Sequence, residues 1–177
     1  VGEEILDYSG YSLGAGGDLN GDGQDDLVVG APQYDAADTN SGKVYVVYGP
    51  AVLDGEATTE FSFADADATI SGDQRSAYLG YEIHTTSDFD SDGYDDLLTS
   101  AYYADADASV DGNEGQAYLF VGPVTGAIEP SDADLTISGE NETDLLGQYF
   151  VSGLGDIDGS GAPDIGVGAH YFDPYDP

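Results

Sequence analysis

The sequence predicts an all-β protein built from four-stranded antiparallel blades, a segment of a β-propeller. Three observations point there. A pattern of strands and acidic turns recurs three times in phase, at intervals of about 70 residues. Each complete copy holds four short apolar or alternating runs separated by turn residues. No stretch carries the periodicity of an amphipathic helix.

The repeat is plainest at its acidic centre. Asp18-Leu19-Asn20-Gly21-Asp22-Gly23-Gln24-Asp25-Asp26-Leu27 returns as Asp88-Phe89-Asp90-Ser91-Asp92-Gly93-Tyr94-Asp95-Asp96-Leu97. It returns again as Asp156-Ile157-Asp158-Gly159-Ser160-Gly161-Ala162-Pro163-Asp164-Ile165. The flanks keep phase. Gly10-Tyr11-Ser12-Leu13 matches Gly80-Tyr81-Glu82-Ile83 and Gly147-Gln148-Tyr149-Phe150 upstream. Leu27-Val28-Val29-Gly30-Ala31 matches Leu97-Leu98-Thr99-Ser100-Ala101 and Ile165-Gly166-Val167-Gly168-Ala169 downstream.

The first strand of a copy is the alternating run after the glycine, Tyr81 to Thr85 in the second copy. An acidic loop follows, then a second strand, Leu97 to Ala101. The third is Gln116 to Val121, matched by Lys43 to Tyr48. It stops at Gly49-Pro50 and Gly122-Pro123, because proline cannot donate to a ladder. The fourth is Ala68 to Gly72, matched by Leu135 to Gly139. Copies one and two hold all four strands, and copy three only the first two before Pro177. Residues 1–177 therefore form one segment, with repeats of about 2–71, 72–138 and a partial 139–177, or about two and a half blades. Propellers close with about four to eight blades. Open sheet edges are thus expected unless further sequence, other copies or another polypeptide completes the ring.

Composition narrows the function. The 177 residues carry 36 Asp plus Glu against 2 Lys plus Arg, a formal charge of −34. A nucleic-acid backbone needs a basic footprint, so that partner is excluded, and an anionic membrane surface is equally unsuited. No apolar run reaches the roughly 20 residues of a membrane helix, so no membrane insertion is expected. Cysteine is absent, which excludes disulfides, thiolate metal sites and cysteine catalysis. Methionine is absent too, as expected of a processed product or a fragment. A hydrophobic share of 40% is too high for a solvated acidic tail.

The acidic loops have the chemistry of calcium sites. Oxygen-bearing side chains fall at positions 1, 3, 5 and 9: Asp18, Asn20, Asp22 and Asp26; Asp88, Asp90, Asp92 and Asp96; Asp156, Asp158, Ser160 and Asp164. Position 7, held by Gln24, Tyr94 and Ala162, offers a backbone carbonyl. Position 6 is Gly23, Gly93 or Gly161, where the chain must turn around the ion. Converging hard oxygens suit calcium better than magnesium, which keeps more of its water. The loops are not EF-hands. Position 12 is Val29, Thr99 or Val167 inside an apolar strand, where an EF-hand needs a bidentate glutamate. Asp25 and Asp95, at position 8, are expected to face outward. Ser160 and Pro163 make loop three the weakest of about three expected calcium sites.

The pattern resembles the FG-GAP repeats of the integrin α-subunit β-propeller and of bacterial or archaeal surface proteins. The matching residues are Tyr11-Ser12-Leu13-Gly14, the loop from Asp18 to Asp26, and Val29-Gly30-Ala31-Pro32. Leu79-Gly80 with Asp88 to Asp96, and Leu146-Gly147 with Asp156 to Asp164, carry it through the other copies. The resemblance implies calcium bound between the first two strands of successive blades, and protein ligands on the opposite face. The chain departs in two ways: the Phe-Gly and Gly-Ala-Pro signatures are degenerate, as at Ser100-Ala101-Tyr102 and Gly168-Ala169-His170, and the blades are too few for a closed ring.

Catalytic signals are weak. Gly10-Tyr11-Ser12-Leu13-Gly14 fits a G-x-S-x-G nucleophile motif, which needs a strand–turn–helix elbow. The same register reads Gly80-Tyr81-Glu82-Ile83-His84 in the next copy, so Ser12 is a strand position. His84 and His170 occupy non-equivalent positions and read as surface or strand-end residues rather than a zinc pair. Asn141-Glu142-Thr143 is a glycosylation sequon. The remaining acid, such as Asp35 to Asp38, Asp65 to Asp67, Asp105 to Asp111 and Asp132 to Asp134, reads as solvated surface or as adaptation to high salt. The expected function is a non-catalytic, calcium-stabilised extracellular or cell-surface segment for adhesion, recognition or assembly. Its partner would be a protein or glycan ligand, or copies of itself. Two rival readings are the non-catalytic blade region of a secreted polysaccharide-acting hydrolase or lyase, and a structural subunit assembling through exposed sheet edges.

Overall fold

The structure, a computed structural model, describes residues 2–49, 61–106 and 112–172. Pro50, the acidic positions 107–111 and the terminal residues 173–177 lie outside the described residues. The chain is all-β, with eleven strands and two single-turn 3-10 helices, Phe63–Asp65 and Pro130–Asp132, among the described residues.

The first blade comprises β1 (Ser12–Gly17), β2 (Asp26–Ala31), β3 (Lys43–Val47) and β4 (Ala68–Ser71), antiparallel throughout. The second comprises β5 (Ile83–Ser87), β6 (Asp96–Ala101), β7 (Gln116–Phe120) and β9 (Leu135–Ser138), in the same order. The third copy supplies the hairpin β10 (Val151–Gly153) with β11 (Ile165–Val167). These are two four-stranded blades and the inner half of a third.

Most strand ends fall within a residue or two of the sequence expectation, and three differences stand out. β5 starts at Ile83 rather than Tyr81, because the amides of Gly80 and Tyr81 both donate to the Ser100 carbonyl instead of entering the ladder. β7 ends at Phe120, since Val121 N–H turns to the Asp134 carboxylate. A short strand, β8 (Gly126–Ile128), pairs parallel with β4 and makes the first sheet five-stranded. Three residues without alternation left no periodic trace of it in the sequence.

The central strands of the two complete blades are apolar on both faces because each of these blades is covered on both sides. Side chains alternate across a strand. Leu97, Tyr118 and Phe120 join Val28, Val44, Val46 and Ile70 of the first blade in one buried cluster. Their neighbours Leu98, Ala117 and Leu119 join Leu146 and Val151 of the third copy in another. The outer face of the first blade buries Val29, Ala31 and Tyr45. Stacked blades thus place three strand-one to strand-two loops side by side at one end.

Candidate cation loops

Each loop begins with an aspartate whose carboxylate gathers the loop's own amides. Asp18 accepts from Gly21 N–H at 2.7 Å, Asp22 N–H at 3.1 Å and Gly23 N–H at 2.8 Å. Asp88 accepts from Asp92 N–H at 3.1 Å and Gly93 N–H at 3.0 Å. Asp156 accepts from Gly161 N–H at 3.0 Å. The position-6 glycines Gly23, Gly93 and Gly161 have φ of 86°, 98° and 98°, a left-handed region that side chains resist. Their N–H groups therefore point inward, as the sequence pattern requires.

The last aspartate of each loop pins the strand that follows. Asp96 is fully buried. It accepts from Phe89 N–H at 2.7 Å and Gly122 N–H at 2.8 Å. Asp26 does the same with Leu19 N–H at 2.8 Å and Gly49 N–H at 2.9 Å. Burial pushes both carboxyls above the usual range, the backbone donors pull them back, and the neighbouring loop aspartates push them up again. Asp164 accepts from Ile157 N–H at 2.7 Å. Asp158 lies below its ordinary value because Ser160 donates to it from backbone and side chain.

Positions 1, 3 and 9 come together in loops two and three. Oxygens of Asp88, Asp90 and Asp96 lie within 4.8 Å of one another, and so do those of Asp156, Asp158 and Asp164. Such oxygen sets fit a hard divalent cation, since three carboxylates this close repel one another strongly. In loop one position 3 is Asn20, whose amide accepts from Asp22 N–H at 2.9 Å. Position 5 also shapes the turn: Asp22 and Asp92 accept from Gln24 N–H and Tyr94 N–H, both at 2.9 Å, and Ser160 from Ala162 N–H at 3.4 Å.

Position 8 corrects the expectation of an outward side chain in one copy. Asp25 is exposed, but Asp95 is half-buried and its carboxylate accepts Asp18 N–H of the neighbouring loop at 2.9 Å. No local pattern announces a contact across 77 residues.

The opposite ends of the strands carry an aromatic rim. Tyr11 and Tyr81, equivalent residues of two copies, have ring centroids 4.7 Å apart. Tyr102 lies 4.3 Å from Tyr81 and 4.4 Å from Tyr103. His170 packs edge-on against Tyr149 at 4.5 Å. Ser12 lies at the start of β1, where its hydroxyl donates to the Gly80 carbonyl at 2.6 Å, so it has no nucleophile elbow. His84 lies within β5 and contacts Ser87 Oγ at 3.2 Å and Ser152 Oγ at 3.4 Å, whereas His170 lies beyond β11.

A family model for the FG-GAP repeat matches residues 9–47 and 79–120, the first two loops with the strands around them. The chain carries FG-GAP repeats. Along nearly its whole length this FG-GAP chain is similar to integrin α subunits. It is 34% identical to integrin alpha-PS2 of Drosophila melanogaster over 98% of the chain. It is 30% identical to integrin alpha-IIb of Homo sapiens over 96%, and 29% identical to integrin alpha-5 of Xenopus laevis over 97%. It spans only 12%, 15% and 16% of the lengths of those relatives. No helix among the described residues is long and apolar enough to cross a membrane.

Proposed function

We propose that this is a calcium-stabilised, non-catalytic propeller segment working outside the cell or on its surface, in adhesion, recognition or assembly. The observation that carries the proposal is the convergence of Asp88, Asp90 and Asp96, repeated at Asp156, Asp158 and Asp164. The proposed ligands are Asp18, Asn20, Asp22 and Asp26 in loop one; Asp88, Asp90, Asp92 and Asp96 in loop two; and Asp156, Asp158, Ser160 and Asp164 in loop three. Carbonyls of Gln24, Tyr94 and Ala162 complete the shells.

The cation's role is structural. Its ligands span strand one and strand two of each blade, so binding stabilises the folded chain by mass action. Extracellular calcium modules bind at about 0.1 to 1 mM, a range suited to that location. The tyrosine rim at the other end is the proposed recognition surface for a protein or glycan ligand, because tyrosine supplies large contact area with a polar tip.

Chelation tests the reading. EDTA should lower the thermal midpoint, and calcium should restore it with a stoichiometry near three. A melting curve unchanged by EDTA removes the metal from the account. Self-association is the second reading, supported by β9, whose Leu135 is 43% exposed on an uncovered edge strand. Mass that grows with concentration in calcium would favour it.

A further inference from the structure

Loops one and two are joined by a reciprocal pair of hydrogen bonds. Asp18 N–H donates to the Asp95 carboxylate at 2.9 Å, and Asp95 N–H donates to the Asp18 carbonyl at 3.0 Å. The contact is packed as well as bonded. A Cβ at Gly21 would run into the Tyr94 ring, and one at Gly17 would overlap the Thr85 carbonyl and approach the Asp95 Cβ. Loop two is therefore seated directly on loop one.

The residues at this seam are the ones that matter for a cation. Asp18 is position 1 of loop one. Asp95 sits between Tyr94 and Asp96, positions 7 and 9 of loop two. Fixing Tyr94 and Asp96 around an ion fixes Asp95, and Asp95 holds Asp18. Loop three lacks the device: its position 8 is Pro163, with neither an N–H nor a carboxylate.

We infer that Asp95 is a positioning residue that couples cation binding in loop two to loop one, while loop three binds independently. The inference rests on the calcium reading of the loops. Asp95 ligates neither ion. It lowers the cost of ordering the first ligand of its neighbour, which is positive coupling between two sites, and the coupling is reciprocal.

The three glycines at position 6 give equivalent reporters, since each donates its N–H to the first aspartate of its own loop. Calcium titration followed by the amide resonances of Gly23, Gly93 and Gly161 reads each loop separately. In the unaltered chain Gly23 and Gly93 should respond with a shared, steep midpoint, and Gly161 with its own. Asp95→Ala should raise the Gly23 midpoint about tenfold, the scale of a lost charge-assisted hydrogen bond. Asp95→Asn loses the same charge but keeps an acceptor for Asp18 N–H, so it should leave the Gly23 midpoint between those of Asp95→Ala and the unaltered chain. Pro163→Asp should draw the Gly161 midpoint toward that of Gly93.

A Gly23 midpoint that is the same in Asp95→Ala and the unaltered chain overturns the coupling with the calcium reading intact. Equal loss in Asp95→Ala and Asp95→Asn also overturns it, because charge alone would then explain the change. Three glycine amides indifferent to calcium in the unaltered chain overturn both readings.

Discussion

Lys43 is one of two cationic side chains in the sequence, and the structure commits it to a half-buried clasp at the surface. Its ammonium donates to Glu3 at 2.6 Å, and it lies 4.6 Å above the Tyr34 ring and 4.8 Å from that of Tyr45. Tyr45 is buried, and its hydroxyl donates to the same Glu3 oxygen at 2.8 Å. A composition count singles out Lys43, but nothing local names a partner 40 residues away. Burial pushes the Glu3 carboxyl up, yet the bonds from Lys43 and Tyr45 outweigh it and hold the group below its ordinary 4.5. A depressed carboxyl adds stability above that ordinary value and loses it as pH falls through the lower folded value. Glu3→Gln should therefore cost about 1 kcal/mol near pH 7, solvent screening keeping the figure small. The gap from the unaltered chain should close below about pH 4.5. Urea unfolding at pH 7, 5 and 3.5 measures it, and a gap that widened toward acid would contradict the clasp.

The strands divide into those readable from sequence and those not, for a physical reason. β2, β3, β6 and β7 are buried on both faces, so they read as continuous apolar runs. β1, with the sequence Ser-Leu-Gly-Ala-Gly-Gly, has little side chain to pattern. Its glycines serve the close approach of β1 to β5, a long-range contact that no window of sequence contains. β8 is legible only once β4 is seen to need a neighbour. In the loops the convergence of Asp88, Asp90 and Asp96, and of Asp156, Asp158 and Asp164, was legible because side-chain spacing alone brings them together, whereas the seam at Asp95 depends on how blades stack. The packing of β1 on β5 makes a sharp prediction. Gly17→Ala would place a methyl group on the Thr85 carbonyl oxygen, so the blades must separate. The expected loss is about 3 kcal/mol, at the upper end for overpacking. Gly168→Ala meets nothing closer than 3.5 Å and should stay within about 0.5 kcal/mol. Equal stability of the two variants in denaturant titrations would sink the blade contact.

Across the whole molecule two kinds of acid do different work. The loop carboxylates are held at fixed positions by backbone amides and, on the proposed reading, take a directed cation. Most of the rest is spread along surface turns, where few cations answer a net charge of −34. Diffuse repulsion of this sort is relieved by any salt, because screening shortens its reach from about 10 Å at 0.1 M to about 3 Å at 1 M. If the loops take calcium, as proposed, they are not relieved that way, since a monovalent salt supplies no ion with calcium's charge and coordination number. The two contributions should therefore separate experimentally. With calcium saturating, the thermal midpoint should rise by several degrees between low and molar sodium chloride. With EDTA present, molar sodium chloride should recover only part of the stability that calcium gives in low salt. A midpoint flat in salt at fixed calcium would mean that the surface acid costs the fold nothing, and the high-salt reading of this composition would fall. Full recovery by sodium chloride in EDTA would mean instead that the loops need only screening, and their ordered ligands would lose their purpose.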